Sequence, residues 1–382
     1  MNHSIDTLCV HGDTHKYQDT SRSLTPPLYQ TAGFYHLEPG HNEHGFDYTR
    51  ISNPTRQYLE ETVSALEGAA GSVAFASGMA AISACFELFS PGDHVICSAD
   101  LYGGTVELFH VIKEKNGIEL TFVDSTDLEQ VKAAVKPNTR AIYIETPSNP
   151  MMNVTDIRGC AAIAKECGAL LVVDNTFLSP YFQNPIALGA DIVVHSGTKF
   201  LGGHNDTISG FLCAADIKVW ERLKLISKAT GGALSPFDSW LMIRGIKTLA
   251  VRLERQQQTA MAVASALKDC GRVEKVLYPG LPEHPGYALN ASQARGSGAM
   301  LSFFVDSRET ALRVLRKVKL VTFAESLGGT ESLITHPELQ THRDMTPEER
   351  ERAGITDKLL RLSIGLENAD DLIRDLLQAM EE

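Results

Sequence analysis

Lys199 follows an apolar run that closes in a polar turn. In the segment Asp191–Lys199, Ser196, Thr198 and Lys199 come directly after three apolar residues and a histidine. A lysine that is partly desolvated at the mouth of a sheet, beside groups that bind phosphate, can present the neutral amine that a nucleophile requires. A lysine after a strand is most often an ordinary surface residue. The interpretation of Lys199 as a nucleophile therefore depends on its companions.

Asp174 is the first companion, because it ends the apolar run Leu170–Val173. A carboxylate at the end of a buried strand is costly unless a cation compensates it. A protonated pyridine nitrogen would be such a cation, and the contact would keep the ring electron-poor. A helix N-cap at a strand–helix turn is the alternative role for this aspartate.

The second companion is the segment Ser77–Met79, which follows a predicted strand and opens a predicted helix. The free N–H groups of Gly78 and Met79 could hold a phosphate, assisted by the helix dipole. Gly78 also permits close approach of another backbone. A Ser-Gly helix start is more often a plain cap, so this motif supports the site without defining it.

Short apolar runs alternate with helical patterns and would position these residues. Near-continuous Val, Ile and Leu runs suit strands covered on both faces, so they predict a mostly parallel sheet flanked by helices. Ligands of such a sheet lie beyond the carboxyl ends of its strands, where Ser77, Glu145, Asp174 and Ser196 are expected. The predicted strands are 72–77, 94–98, 120–124, 141–145, 170–174, 192–196 and 210–214, and the predicted helices 55–66, 79–88, 128–135 and 157–167.

The length of 382 residues suits one large and one smaller domain. Residues 1–51, rich in Pro, Gly, His and Thr, are interpreted as an extended arm, and residues 52–235 as the large α/β domain. Residues 236–382 are interpreted as a linking helical stretch, 236–268, and a smaller α+β domain. Its predicted strands are 299–305 and 360–364, and its predicted helices 310–318 and 370–380.

Composition excludes several classes of function. The formal net charge is -12 without a basic run, which disfavours nucleic acids and anionic membranes as partners. No apolar leader and no run of about 18 apolar residues is visible, so a cytoplasmic protein is expected. The seven cysteines lack zinc-ligand spacing and are interpreted as reduced core thiols, so no metal site is expected.

Seven segments, in order, resemble the Cys/Met-metabolism enzymes that depend on pyridoxal 5'-phosphate (PLP), the trans-sulfuration family of fold type I. The family includes cystathionine γ-lyase, γ-synthase and β-lyase and methionine γ-lyase. The resemblance runs essentially end to end and implies PLP as the cofactor. Its motifs are Tyr48-Thr-Arg50-Ile-Ser-Asn-Pro-Thr, Ser77-Gly-Met-Ala-Ala, Tyr102-Gly-Gly-Thr, Glu145-Thr-Pro-Ser-Asn149-Pro, Val172-Val-Asp174-Asn-Thr, Ser196-Gly-Thr-Lys199 and Glu325-Ser-Leu-Gly-Gly-Thr-Glu-Ser.

The resemblance also implies roles at the cofactor. Lys199 would attach the cofactor covalently and then move protons at the substrate Cα. Asp174 would pair with the pyridinium nitrogen, and Tyr102 would stack on the ring and act as acid or base toward the leaving group. Outside that context Tyr102 would be an aromatic residue that fills core space. Phosphate binding would fall to Gly78, Met79, Ser196 and Thr198.

Further implied roles concern the neighbouring subunit and the substrate. Tyr48 and Arg50 would reach the phosphate of a neighbouring subunit, which predicts a homo-oligomer with shared sites, at least a dimer and usually a tetramer built as a dimer of dimers. The same two residues could otherwise be an exposed loop pair. The substrate α-carboxylate would be held by Arg361, Ser326 and Asn149, because a guanidinium binds a carboxylate with two parallel hydrogen bonds.

Four positions concern substrate specificity. Glu325 matches cystathionine γ-lyases and γ-synthases, whereas Gly104 departs from the cysteine typical of methionine γ-lyases. Glu107 stands where cystathionine enzymes usually have an arginine, so it would repel a distal carboxylate. Asp47 could join Glu107 and Glu325 in an acidic mouth that prefers a distal ammonium or a neutral side chain. Solvated, inert positions for Asp47 and Glu107 are the alternative.

The favoured function is γ-elimination from amino acids such as L-cystathionine, L-methionine and L-homocysteine, which gives a 2-oxo acid, ammonia and a thiol. The main alternative is the γ-synthase reaction, replacement on an O-acyl-homoserine by cysteine or sulfide. Elimination and replacement share every catalytic residue, so the sequence does not separate them. A β-lyase, an aminotransferase and a non-catalytic PLP-binding protein are remoter alternatives.

Overall fold

A computed structural model of the chain describes residues 3–12, 23–42, 44–343 and 345–381. Seven strands form the larger sheet in the order β1-β7-β6-β5-β4-β2-β3. Only β7 runs against its neighbours, so the sheet is mostly parallel, as predicted. The strands are β1 Gly71–Phe75, β2 His94–Ser98, β3 Glu119–Val123, β4 Thr139–Glu145, β5 Leu170–Asp174, β6 Ile192–Ser196 and β7 Gly210–Ala214.

Strands β1, β2 and β7 are buried along their whole length and β4, β5 and β6 along most of it, because helices cover both faces of the sheet. Parallel strands place their carboxyl ends at one edge, so Glu145, Asp174 and Ser196 lie beside one another at the ends of β4, β5 and β6. The helices, α1 to α8 in chain order, are Ile5–His11, Pro54–Glu67, Gly78–Phe86, Gly103–Asn116, Leu128–Ala133, Ile157–Cys167, Ser179–Phe182 and Ile217–Thr230.

The second sheet has five strands in the order β10-β11-β12-β9-β8 and is mostly antiparallel. Arg361 lies on its central strand, β12. The strands are β8 Val273–Leu277, β9 Met300–Val305, β10 Thr322–Phe323, β11 Leu333–Thr335 and β12 Leu359–Ser363. The helices, α9 to α14 in chain order, are Pro236–Ile246, Leu249–Lys268, Tyr287–Gln293, Arg308–Lys317, Pro347–Arg352 and Ala369–Met380.

The predicted helical stretch 236–268 is two helices, because the backbone breaks after α9. The Gly245 carbonyl accepts hydrogen bonds from Thr248 Oγ1 at 3.1 Å and Arg252 Nη2 at 2.9 Å. A Cβ at Gly245 would lie 2.3 Å from the Gly202 carbonyl oxygen, so the end of α9 packs directly on that backbone. Helix α1 is a further difference, since residues 1–51 were predicted as an extended arm.

The cysteine thiols are all free, and five of the seven are buried in the core. Cys167 and Cys270 are only half-buried, so these two are not core thiols. Within the residues that the structure describes, no helix is long and apolar enough to cross a membrane.

Candidate active site

A cavity of about 1040 Å³ opens at the carboxyl edge of the larger sheet and extends to the loop before β11 and to β12. It brings together residues that are far apart in the sequence and that were predicted to act together. The predicted residues that line it are Gly78, Met79, Tyr102, Asn149, Asp174, Ser196, Thr198, Lys199, Glu325, Ser326 and Arg361.

Lys199 extends into this cavity from the turn after β6. Its Nζ donates a hydrogen bond to Ser326 Oγ at 3.1 Å. Burial lowers the pKa of Lys199 to about 8, helped by the positive charge of Arg361 and opposed by Glu325. A neutral amine is therefore accessible near physiological pH, as nucleophilic attack on a carbonyl requires.

The loop that carries Ser326 approaches Lys199 closely. A Cβ at Gly328, whose φ is +80°, would lie 2.6 Å from the Phe200 backbone nitrogen, so this position requires glycine. Gly328 N also donates to Ser363 Oγ at 2.8 Å, which ties the loop to β12. The Lys199–Ser326 contact thus joins the two sheets across the cavity.

Asp174 is 7% exposed at the end of β5. The backbone N–H and the hydroxyl of Thr176 both donate to Asp174 Oδ1, at 3.0 Å and 2.6 Å. Burial raises the pKa of Asp174, and the Thr176 hydrogen bonds oppose that shift. A cation in the cavity would stabilise this carboxylate.

The start of α3 faces the end of β6 at one end of the cavity. Ser77 caps the helix by accepting a hydrogen bond from Ala80 N at 3.0 Å. A Cβ at Gly78 would lie 3.0 Å from Ser196 Cβ, which is tighter than an ordinary contact, so glycine suits this close approach of the helix terminus. The Thr198 hydroxyl donates to the Ser209 carbonyl at 3.1 Å and accepts from Ser209 N at 3.0 Å. The helix terminus and the Ser196 hydroxyl suit an anion.

Arg361 is 2% exposed at the opposite end of the cavity. Its guanidinium donates to Asn149 Oδ1 at 2.8 Å, the Ser326 carbonyl at 3.2 Å and Thr335 Oγ1 at 3.3 Å. Burial lowers its pKa to about 10, so it remains charged at neutral pH. A fixed guanidinium of this kind can bind a carboxylate.

Tyr102 is the N-cap residue of α4 and is 41% exposed. Its backbone N–H donates to Glu145 Oε2 at 2.9 Å. Burial and the negative charge of Glu325 raise the pKa of Tyr102, so its hydroxyl is protonated and can donate a proton. A Cβ at Gly104 would lie 2.7 Å from Tyr102 Cε1, so glycine leaves room for the ring.

A second cavity, of about 280 Å³, adjoins Tyr102 and is lined by Glu107, Glu325 and Arg343. We call it the side cavity. It brings two carboxylates of the predicted acidic mouth together. Asp47 is not among its lining residues within one chain, because its Oδ1 interacts with His36 Nε2 and Asn42 Nδ2, each at 2.9 Å, on the N-terminal arm.

Tyr48 and Arg50 also lie outside the large cavity of their own chain. Arg50 donates to the Lys228 carbonyl at 2.6 Å, and its guanidinium lies 5.5 Å from the centre of the Tyr48 ring. The interpretation that both residues serve a neighbouring subunit stays a prediction.

Glu145 is a cavity residue to which the sequence assigned no role. It is 5% exposed, and burial together with the charge of Asp174 raises its pKa well above the usual value. Its position at the end of β4, matching Asp174 on β5, was the available signal. No group of three or more His, Cys, Asp or Glu among the described residues is placed to hold a metal ion.

The donor set fits a flat, anionic, pyridine-based cofactor. Lys199 offers a neutral amine for its aldehyde, Asp174 a buried carboxylate for its ring nitrogen, and the start of α3 a cradle for its phosphate.

Comparison with known proteins agrees with this chemistry. The family of Cys/Met metabolism PLP-dependent enzymes matches residues 6–381. Cystathionine gamma-lyase of Bacillus subtilis is 46% identical over 98% of both chains, and cystathionine beta-lyase of the same organism is 45% identical over 100% of this chain and 97% of that one. A solved cystathionine gamma synthase from Xanthomonas oryzae pv. oryzae, in complex with aminoacrylate and cysteine, superimposes with a TM-score of 0.96 at 41% identity, over 100% of this chain and 98% of that one. The chain therefore belongs to the Cys/Met-metabolism family of PLP-dependent enzymes, with the fold and cofactor predicted from its sequence.

Proposed function

We propose that the protein is a carbon–sulfur lyase that performs γ-elimination on amino acids such as L-cystathionine, L-methionine and L-homocysteine. The observation that carries the proposal is one cavity in which Lys199, with a pKa of about 8, faces Tyr102 and Glu325 on one side and buried Arg361 on the other. Bound PLP supplies an electron sink for charge that develops at Cα. The residues of the chain supply the proton transfers and the orientation.

Cofactor binding is assigned to the strand ends of the larger sheet. Lys199 attaches the cofactor, Asp174 pairs with its ring nitrogen and Tyr102 contacts its ring. Gly78 and Met79 hold the phosphate together with Ser196 and Thr198. To donate to the phosphate, the Thr198 hydroxyl gives up its hydrogen bond to the Ser209 carbonyl, while it continues to accept the hydrogen bond from Ser209 N.

Substrate orientation follows from the groups around Arg361. Arg361, Asn149 and Ser326 bind the α-carboxylate, so the Cα–H bond is directed at Lys199 Nζ, which removes the proton. Lys199 then removes a Cβ proton as the γ-sulfur departs with a proton from the Tyr102 hydroxyl. Of the two protons taken from the substrate, one is returned to Cγ and the other restores the Tyr102 hydroxyl. Hydrolysis of the released enamine gives 2-oxobutanoate and ammonia, beside the thiol.

The side cavity is assigned to the distal part of the substrate. Two carboxylates, Glu107 and Glu325, and one guanidinium, Arg343, line it, so its excess of negative charge favours a neutral side chain or a distal ammonium over an isolated distal carboxylate. Asp47 is proposed to join them from the arm of a neighbouring subunit, together with Tyr48 and Arg50. We infer a cytoplasmic homotetramer, a dimer of dimers, whose chains divide at residues 51 and 235.

The γ-synthase reaction is the second candidate, because a solved cystathionine gamma synthase matches the whole chain at 41% identity. In that reaction cysteine or sulfide adds at Cγ of an O-acyl-homoserine. A β-lyase, suggested by the relative at 45% identity, and an aminotransferase are remoter.

Parallel assays of the purified, PLP-loaded protein separate these functions. The substrates are L-cystathionine, L-methionine, L-homocysteine, and O-acetylhomoserine with cysteine, and 2-oxo acid and thiol are measured. The proposal predicts 2-oxobutanoate and thiol from the sulfur amino acids. Formation of cystathionine from the acetylated substrate with little 2-oxobutanoate would replace it by the γ-synthase function.

A further inference from the structure

Asp100 lies two residues before Tyr102, in the segment between β2 and α4, and is not among the residues lining the large cavity. Its Oδ2 accepts hydrogen bonds from Ser148 Oγ and from Asn153 Nδ2, the latter at 3.0 Å. Ser148 Oγ also accepts from Asn153 N at 2.9 Å. One carboxylate oxygen therefore fastens the Tyr102 segment to the turn 148–153.

That turn carries Asn149. Asn149 Oδ1 accepts from Arg361 at 2.8 Å, and its carbonyl accepts from His342 Nε2 at 3.2 Å. A second link to the same part of the chain is the Tyr102 N–H bond to Glu145 Oε2. The two carboxylates, Asp100 and Glu145, thus connect the start of α4 to the loop that holds Arg361.

We propose that Asp100 is a positioning residue, which fixes the Tyr102 hydroxyl relative to the Asn149–Arg361 pair so that proton donor and carboxylate-binding group act on one substrate. The inference rests on the roles proposed above for these three residues. Asp100 touches neither cofactor cavity nor substrate groups, so it acts through Tyr102 and Asn149 alone.

The hydrogen bonds from Ser148 and Asn153 stabilise the ionised form of Asp100, whereas burial disfavours it. Burial raises the pKa of Asp100 to about 6, so it is mostly ionised at neutral pH and both hydrogen bonds to Oδ2 are charge-assisted. Its Oδ1 is buried and has no hydrogen-bond partner within the described residues. An asparagine could place its amide group there and keep the oxygen that accepts both bonds, which provides a conservative variant.

The first test compares holoenzymes carrying Asp100→Ala, Asp100→Asn and Asp124→Ala. Asp124 is the matched control, because within the described residues the hydrogen bonds to this nearby carboxylate all come from Thr126. We expect Asp100→Ala to lower kcat/KM by about 10²-fold, the scale of a 1 Å misplacement. Asp100→Asn should retain most of the activity, and Asp124→Ala all of it. If Asp100→Ala does not fold, Ser148→Ala and Asn153→Ala each remove one of the two hydrogen bonds to Asp100 and should also lower kcat/KM.

The second test is a double-variant cycle with Tyr102→Phe. If Asp100 acts through Tyr102, the Asp100→Ala substitution costs much less in the Tyr102→Phe enzyme than in the wild type. Equal fold-changes in both backgrounds would overturn that half of the proposal.

The second half of the proposal, that Asp100 positions the Asn149–Arg361 pair, can be tested without turnover. Glycine binding is measured for this purpose from the change in the absorption spectrum of the holoenzyme. Weaker glycine binding by Asp100→Ala supports the proposal even if no sulfur amino acid is cleaved. Failure of the positioning role of Asp100 can therefore be distinguished from failure of the proposed γ-lyase function. Wild-type glycine affinity and wild-type kcat/KM in Asp100→Ala, with only a lower melting temperature, would reduce Asp100 to a stabilising residue and overturn it.

Discussion

The predicted functional residues of the large cavity are held by contacts within the chain, whereas those of the N-terminal arm are largely exposed. In the cavity, Arg361 is buried against Asn149 and Lys199 bonds Ser326, so each group is held by a distant part of the same chain. On the arm, Tyr48 is 47% exposed and Arg50 bonds a single backbone carbonyl. This difference supports the proposal that the cavity residues serve their own chain, whereas Tyr48 and Arg50 serve a neighbouring chain.

Replacing Lys199 should have the largest effect. Lys199→Ala removes the cofactor attachment and the base at Cα, so we expect kcat for L-cystathionine to fall by about 10²–10⁴-fold, the usual worth of a general acid–base group. Steady-state kinetics measure the loss of kcat, and the absorption spectrum reports the loss of cofactor attachment. Lys165→Ala, at an exposed lysine of α6, is the control. Wild-type turnover by the Lys199→Ala enzyme would show that this cavity is not the active site.

Arg361→Leu should raise KM by about 10–100-fold, because a hydrogen bond to a charged group is worth about 1.5–3 kcal/mol. Arg361→Lys keeps the charge and loses the fork, so an intermediate KM is expected. An unchanged KM with reduced kcat would show that another group binds the α-carboxylate.

The pKa of Lys199 predicts a pH dependence for cofactor uptake. Burial disfavours the charged amine, so the neutral form grows as pH rises through about 8 instead of about 10.5. The rate at which apoenzyme takes up PLP should therefore rise about 30-fold between pH 6.5 and 9 and then level off. Arg361→Leu should move this profile to higher pH, because the arginine lowers the pKa. A rate still rising steeply above pH 10 would contradict the shift.

The arm offers a smaller effect and a sharper experiment. Arg50→Ala should lower kcat/KM about tenfold, as expected for one lost hydrogen bond between charged groups. Mixing Arg50→Ala and Lys199→Ala chains under subunit exchange should restore part of the activity, because one of the two shared sites in each mixed dimer then contains both native residues. Activity equal to the average of the separate variants would mean that each chain works alone.

Glu107→Arg should have the smallest effect. It replaces an exposed carboxylate of the side cavity with a cation, and exposed ion pairs contribute about 0.2–1 kcal/mol. We expect kcat/KM for L-cystathionine to rise about two- to fivefold, with L-methionine unchanged. If kcat/KM for each substrate is the same in the variant as in the wild type, Glu107 is a solvated surface residue without a role in specificity.

The same contrast explains what the sequence could predict. Strands β4, β5 and β6 end at polar residues after continuous apolar runs, so their ends and the positions of Asp174, Ser196 and Lys199 follow from local patterning. Motif resemblance supplied Asn149, Ser326 and Arg361, which share a cavity only because the second sheet packs against the first.

Contacts between distant residues could not be read from spacing. Asp100 is 48 residues from Ser148, and Glu145 is 43 from Tyr102, so neither link leaves a local pattern. The break between α9 and α10 likewise depends on Arg252 bonding the Gly245 carbonyl and on close packing against Gly202. The residues that position the chemistry were therefore harder to predict than those that perform it.

The most direct test of the central claim is the identity of the 2-oxo acid that the PLP-loaded enzyme releases from L-cystathionine. Chromatographic identification of both products decides which carbon–sulfur bond breaks. Our account predicts 2-oxobutanoate with cysteine. Pyruvate with homocysteine would mean cleavage on the β side and would contradict γ-elimination.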